Sequence, residues 1–440
     1  MFAIPAAGLM FPALFGMIFL GFPIAFSLIA IAFLFGFGIF GAGFGHQMFG
    51  RVVDVAGNFV LIQIPLFVFM GAVFESSSIA DRLFRAMKVW IGHYPGGLAQ
   101  AVIVMCAIFS ASSGTVGACE IVVGLMAIPA MLQAKYRKDL ISGTICGGGS
   151  LGTIIPPSVT VVVYATVADL PMGDVIAGTV IPGLINTALF MIYIYIRCRL
   201  RPQDGPAVPA EELNVPMKEK LWLLSTALFP CVALIFAVLG TIFMGIASPT
   251  ESAAIGALGA LLLVIAYGDF TWQVLYNAFE RTILISAMAM TIILGGTMFT
   301  SIFMVNGGHT MIKDAIQLFS LGPTATVIVF LTIVFILGFM LEWISILLIT
   351  VPMFTAVLPA LGIDPLWFGI LVLTVLQTSY LTPPMAPSIF YLRSIAPKEI
   401  TYIDMYRGVI PFVAMILLTA LFVYFIPATA TWLPQILFRL

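Results

Sequence analysis

The stretch Gly147-Gly-Gly-Ser-Leu-Gly-Thr-Ile-Ile-Pro-Pro-Ser158 decides the fold, because it recurs in outline as Gln377-Thr-Ser-Tyr-Leu-Thr-Pro-Pro-Met-Ala-Pro-Ser388. Each interrupts an apolar run with small polar residues and a Pro-Pro pair. Working outward, Pro23, Pro129, Pro156 and Pro182 stand 106, 27 and 26 residues apart, and Pro249, Pro352, Pro383 and Pro411 stand 103, 31 and 28 apart. The chain therefore reads as two copies of one unit.

Its 440 residues are 62% hydrophobic and 8% charged, with mean hydropathy +1.16. A soluble domain could not bury that much apolar surface, so the class is a polytopic, all-α membrane protein. The first apolar run, over 7–40, lacks a basic leader and is followed by many further spans, so it reads as membrane helix and not as a signal peptide. Cys106, Cys119, Cys146, Cys198 and Cys231 show no paired spacing and read as small core residues, not as disulfides or metal ligands. A net charge of −1 gives no footprint for nucleic acid.

The most polar segment, over 197–220, divides the chain near its midpoint and reads as the link between the copies. Apolar runs fall near 2–20, 23–40, 55–76, 98–134, 138–168 and 176–198, then near 221–245, 250–267, 282–304, 322–360, 366–396 and 406–427. The runs over 98–134 and 322–360 carry polar tips, Ser110–Thr115 and Gly338–Ser345. Arms of under about 20 residues on either side of a tip fit re-entrant hairpins better than pairs of full spans. Opening the first hairpin to the cytoplasm puts all of the 18 basic residues on that side except Arg51, Lys313 and Arg439. That is the positive-inside asymmetry, and it makes the second copy enter from the opposite face.

Inverted repeats with interrupted helices are the architecture of secondary transporters. A helix broken at membrane depth frees carbonyl and N–H groups that must find partners, and a desolvated cation or an anionic solute supplies them. Glycines allow close approach, Pro-Pro removes two donors, and hydroxyls of Ser150, Thr153, Ser158, Ser379 and Thr382 add oxygen ligands suited to a hard cation.

Thr153-Ile-Ile-Pro-Pro-Ser158, Leu341-Glu-Trp-Ile-Ser345, Val351-Pro-Met353, Gly362-Ile-Asp-Pro365 and Leu381-Thr-Pro-Pro384 resemble the large membrane subunit of tripartite ATP-independent periplasmic (TRAP) transporters. The resemblance covers nearly the whole chain. It implies an elevator-type carrier in the inner membrane of bacteria or archaea, driven by sodium and carrying organic acids. A soluble periplasmic binding protein would deliver the solute, and a small four-helix membrane subunit would assemble with this chain. Because residue 1 leads almost directly into the first span, that subunit is expected as a separate polypeptide.

Carried over by position, the resemblance implies one sodium site at Ser112, Ser113, Gly114, Gly149, Ser150, Thr153 and Pro156. A second joins Gly338, Glu342 and Trp343 to Thr378, Ser379, Thr382 and Met385, largely through main-chain oxygens. The solute is expected between the tips, near Ser113, Thr115, Ser158, Ser345 and Ser388. Two residues depart from the family pattern, Glu120 in a usually apolar arm and Thr153 where proline is common.

Glu120 and Glu342 precede Pro129 and Pro352 by nine and ten residues. A carboxylate at membrane depth costs about 2.5–3.5 kcal/mol, so each is a candidate for binding a cation or a proton. The alternative is a glutamate that caps the hairpin tip and interacts with the helix dipole.

The resemblance divides the chain into scaffold (1–78, 171–200, 221–305, 399–440), interfacial arms (79–97, 306–321), transport unit (98–170, 322–398) and a cytoplasmic linker (201–220). Two rival readings remain open. One is a stand-alone sodium- or proton-coupled carrier for di- or tricarboxylates. The other is an intramembrane serine hydrolase, since Gly148-Gly-Ser150-Leu-Gly152 matches a nucleophile pattern. Against the hydrolase, His46, His93 and His309 all fall at loop or interface positions.

Overall fold

The computed structural model describes residues 6–114, 116–209, 211 and 214–438, and every regular element among them is helical. The first half runs α1 (Ala6–Phe19), α2 (Ile24–Phe40), α3 (Phe44–Ala56), α4 (Gln63–Glu75), α5 (Ile79–Ile91), α6 (Gly97–Ser113), α7 (Val116–Gln133), α8 (Lys138–Ser150), α9 (Val159–Val167) and α10 (Met172–Leu200). The second half runs α11 (Met217–Phe243), α12 (Pro249–Ala266), α13 (Trp272–Val305), α14 (Gly308–Leu318), α15 (Pro323–Leu337), α16 (Trp343–Thr355), α17 (Pro365–Leu376), α18 (Pro387–Ile395) and α19 (Tyr402–Phe425), and closes with α20 (Ala428–Phe438). Six helices are long and apolar enough to cross a membrane, and a bent pair of helices makes a seventh candidate. Only helices satisfy every backbone group within one segment, so this chemistry suits a hydrocarbon solvent.

Helix starts follow local capping rules. At α12 Ser248 and Glu251 form a reciprocal box, with Glu251 accepting from the Ser248 N–H at 2.7 Å, and Thr401 and Asp404 repeat it at α19. Asp364 accepts from the Leu366 N–H at 2.8 Å to start α17.

Two elements differ from the expected pattern. The segment before the third run forms α3, and the chain then bends by 50° into α4, whereas α13 at the matching place is one 34-residue helix. Asn58 explains the bend, since its side chain accepts from the Val60 N–H at 3.0 Å and restarts the helix there. The other is α20, which follows the last expected span and packs on α10.

The helices pack in two groups. In one, α2 lies on α13 and α12 lies on α4, an exchange of matching helices between the halves. In the other, α8 packs on α19, α6 on α8, α10 on α17, α7 on α18 and α16 on α9. Thus α10 and α19, expected in the scaffold, sit against the hairpins and broken helices. The α8–α19 crossing brings two backbones together: a Cβ on Gly408 would lie 2.8 Å from the Gly143 nitrogen. The first group and α11 beside it turn apolar side chains outward, Phe279 and Ile283 on α13 and Phe229 and Phe236 on α11.

The linker is more anchored than its polarity suggests. Gly96 N–H donates to the Gly205 carbonyl at 2.8 Å, and Arg137 N–H to the Asp204 carbonyl at 2.9 Å. Arg197 bridges Asp139 at 2.8 Å and Asp204 at 3.0 Å, closing an ion cluster at the ends of α8 and α10.

A buried amide network ties the second break to this group. Asn186 of α10 donates to Gln377 at 2.9 Å and accepts from Thr419 of α19 at 3.1 Å. Asn186→Leu strands the Gln377 side-chain carbonyl in the interior, while Thr419 keeps its bond to the Met415 carbonyl, and is expected to cost about 1–3 kcal/mol, read as a lower melting temperature in detergent.

Candidate ion and solute site at the paired helix breaks

The first hairpin tip is shaped by Gly114. Its φ of +63° puts it in the left-handed region, and its N–H closes α6 by donating to the Ser110 carbonyl at 2.8 Å. A Cβ there would stand 3.3 Å from the Pro157 carbonyl oxygen and 3.9 Å from the Ser158 Cα, so the tip rests on the first break. The second tip repeats the contact. A Cβ on Gly338 would stand 3.0 Å from the Ser379 Cβ, which seats that tip on the second break. Both breaks contain a cis Pro-Pro bond, Pro156-Pro157 and Pro383-Pro384.

The hydroxyls at the breaks share one arrangement. Ser150 donates to the Gly147 carbonyl at 2.8 Å, Thr153 to Ser150 at 2.8 Å and Ser158 to Thr153 at 3.1 Å. In the second break Thr378 donates to Val375 at 2.7 Å, Ser379 to Leu376 at 2.7 Å and Thr382 to Thr378 at 2.9 Å. A hydroxyl whose proton is already given to a carbonyl of the preceding turn keeps its lone pairs for an incoming cation. All six are buried, so such an ion would meet protein oxygens in place of water.

Of the other expected residues, Ser112 donates to the Ile108 carbonyl at 3.1 Å within α6. Thr115 and the Ser113 side chain lie outside the described residues. Gly149, in the last turn of α8, has its α-carbon against Glu120. Trp343 is half-buried at the start of α16. Met385 is exposed. Ser345 and Ser388 are fully buried on α16 and α18, and neither hydroxyl has a hydrogen-bond partner. Ser345 therefore lies within a helix, beyond the tip to which the sequence assigned it. The α9–α16 packing places the helix begun by Ser158 against the one that carries Ser345.

The capping reading of the two glutamates needs correction. Glu342 occupies the cap position of α16 but makes no side-chain cap bond. Glu120 lies beyond the first turn of α7, fully buried, with neither carboxylate oxygen hydrogen-bonded. Its side chain reaches α8 at Gly149 instead of turning back to the tip, because glycine leaves room there.

Asn186 and Gln377 were missed as members of the site's supporting shell. The available signal was a lone amide within an apolar span, expensive in a membrane unless it is paired. No group of three or more His, Cys, Asp or Glu among the described residues is arranged to hold a metal ion. Ser150, the proposed nucleophile, gives its proton to a main-chain carbonyl, while His93 faces the Trp90 carbonyl at 3.1 Å.

The family model described as "Tripartite ATP-independent periplasmic transporter, DctM component" matches residues 11–429. The C4-dicarboxylate TRAP transporter large permease of Vibrio cholerae is 29% identical, over 98% of this chain and 98% of its own length. The sialic acid TRAP transporter large permease of the same organism is 29% identical over 96% of each chain. The crystal structure of the Alcanivorax borkumensis YdaH transporter has the same fold, with a TM-score of 0.64 at 14% identity, covering 94% of this chain and 98% of that one. These relatives are transporter permeases, which removes the hydrolase reading: this chain is a permease subunit and not an enzyme. It belongs to the tripartite ATP-independent periplasmic transporter family, as a DctM component, the large permease.

Proposed function

We propose that this permease takes up an organic acid across the inner membrane by symport with sodium, moving its hairpins and broken helices as an elevator. The observation that carries the reading is the paired contact of each hairpin tip with a break, Gly114 on Pro157 and Gly338 on Ser379, each beside buried hydroxyls with free lone pairs. Sodium would be cargo at these two places. The solute would sit between them, near Ser158 and Ser345, where the unpartnered Ser345 hydroxyl could bond a carboxylate. Relatives are named for a C4-dicarboxylate and for sialic acid, which supports the carboxylate class without choosing a member.

The sliding unit takes in α10 and α19 as well as the hairpins, since the Gly143–Gly408 contact leaves no room for movement between α8 and α19. Sliding then occurs at the seam with α4, α11 and α13. Two cavities border that seam. One, of about 260 Å³, lies between Thr297 and Thr300 of α13 and Leu348 and Pro352 of α16. The other, of about 1030 Å³, lies between Arg82 and Arg85 of α5, Leu125 and Pro129 of α7, and Trp222 of α11. In this reading the repeats are inverted, a periplasmic binding protein delivers the solute, and a small membrane subunit joins the outward apolar faces of α11 and α13.

The test is uptake of labelled organic acids into proteoliposomes that hold this chain and its small subunit, with and without an inward sodium gradient and the binding protein. Uptake that requires both is the expected result. Uptake without the binding protein would favour the stand-alone carrier, and uptake that ignores sodium would overturn the symport.

A further inference from the structure

Glu120 is the least accounted-for charged residue in the molecule. It is fully buried, and neither carboxylate oxygen has a hydrogen-bond partner. It comes from α7, abuts Gly149 at the end of α8, and faces Ser388 at the start of α18, so it stands where the first hairpin meets the broken helices of both halves. Ser388 is also fully buried, and its hydroxyl lies beside the carboxylate without hydrogen-bond geometry to it or to any other group. Its carbonyl faces the same seam, held by the Cys146 thiol at 3.6 Å.

The remaining neighbours are the thiols of Cys106, Cys119 and Cys146, with Tyr380 and Tyr391 further out. Glu342 lies beyond Tyr380. Arg281, whose charge reaches Tyr391, is held by Glu75 at 2.5 Å. The charges of α5 gather further along α7, around Leu125 and Pro129. The N-terminus of α18 gives neither Glu120 oxygen a bond. A carboxylate and a hydroxyl buried side by side, with no hydrogen bond of good geometry to any group, form a set of oxygens suited to a cation.

We infer that Glu120 and Ser388 bind a monovalent cation of their own, next to the proposed first sodium site and coupled to it through Gly149. One carboxylate neutralises one positive charge, so a divalent ion would leave a buried net charge. The hydroxyl and carbonyl of Ser388 supply further oxygens, the ligands that alkali cations take. The ion would bridge α7 to α18, so occupancy locks a hairpin of one half onto the broken helix of the other. This inference rests on the sodium-coupled reading above and adds one ion to it.

Purified protein in detergent is heated across a sodium titration at constant ionic strength, with potassium as the replacement ion, and equilibrium binding of radioactive sodium is counted per chain. In Glu120→Gln the sodium concentration giving half-maximal thermal stabilisation is expected to rise about tenfold or more. One fewer sodium ion should bind per chain. Ser388→Ala should raise the midpoint about threefold, and it decides the matter if the glutamine variant does not fold. Glutamine has the shape of an uncharged glutamic acid, so an unchanged midpoint and unchanged stoichiometry in Glu120→Gln would mean that Glu120 packs as a neutral side chain, and the inference fails. If the unaltered protein shows no stabilisation by sodium, the symport reading fails with it.

Discussion

Replacing Gly408 with leucine is expected to abolish accumulation of folded protein, and replacing it with alanine to lower the melting temperature clearly. Glycine elsewhere in a helix is a weakness, and alanine usually gains about 1 kcal/mol. At Gly408 the added carbon meets main chain, 2.8 Å from the Gly143 nitrogen and 3.1 Å from the Asp139 carbonyl carbon. Backbone cannot rotate away, so α8 and α19 must part, and overpacking of this kind costs about 1–3 kcal/mol for a single methyl. The comparison is Gly38→Ala in α2, where a Cβ has nothing within 4 Å and stability should hold or rise slightly. Fluorescence-detected size exclusion after heating measures all three. A Gly408→Ala protein as stable as the unaltered one would mean that the two helices are free to separate, and would remove the reason for placing α19 in the proposed sliding unit.

The second large effect is at the hairpin tips, where two glycines sit in matching places for different physical reasons. Gly114 needs its left-handed φ of +63°, so Gly114→Ala costs about 1–2 kcal/mol in backbone energy and also presses a methyl toward the Pro157 carbonyl. Stability and uptake should fall together, with uptake down about tenfold or more once that main-chain oxygen is displaced. Gly338 has an ordinary helical φ of −59°, so alanine there carries no backbone cost. Its methyl would sit 3.0 Å from the Ser379 Cβ and lift the second tip from its break. Gly338→Ala is therefore expected to keep its melting temperature while the half-saturating sodium concentration for uptake rises about tenfold. Measuring melting and sodium dependence on the same preparations separates the two cases. Equal loss of stability in both variants would show that the second tip is held by something other than its contact with Ser379.

Much of the site was legible because its chemistry is local. Gly147–Ser158 and Gln377–Ser388 announce broken helices through their own residue types, since Pro-Pro and glycine act on the backbone wherever they stand. What was not legible depends on groups distant in sequence. Whether Asn186 is paired is answered by Gln377, 191 positions away, and whether Glu120 caps its own helix is answered by the space at Gly149. The seating of Gly114 on Pro157 and of Gly338 on Ser379 likewise follows from how hairpins and broken helices pack, not from either segment alone.

By itself the sequence determined the class and the places of both breaks, because hydrophobicity, proline and glycine act within a turn or two of where they occur, and its motifs carried the family. It also showed that the breaks carry several hydroxyls. Tertiary structure alone decided which helices pack together, since backbone contact at Gly143 and Gly408 joins α19 to α8, although the sequence reading had put α19 in the scaffold. It alone decided that Glu120 faces Ser388 of the other half without a partner. The reason is the same in both cases: close packing and the pairing of buried polar groups are properties of the neighbours a residue meets, and those neighbours come from the opposite end of the chain.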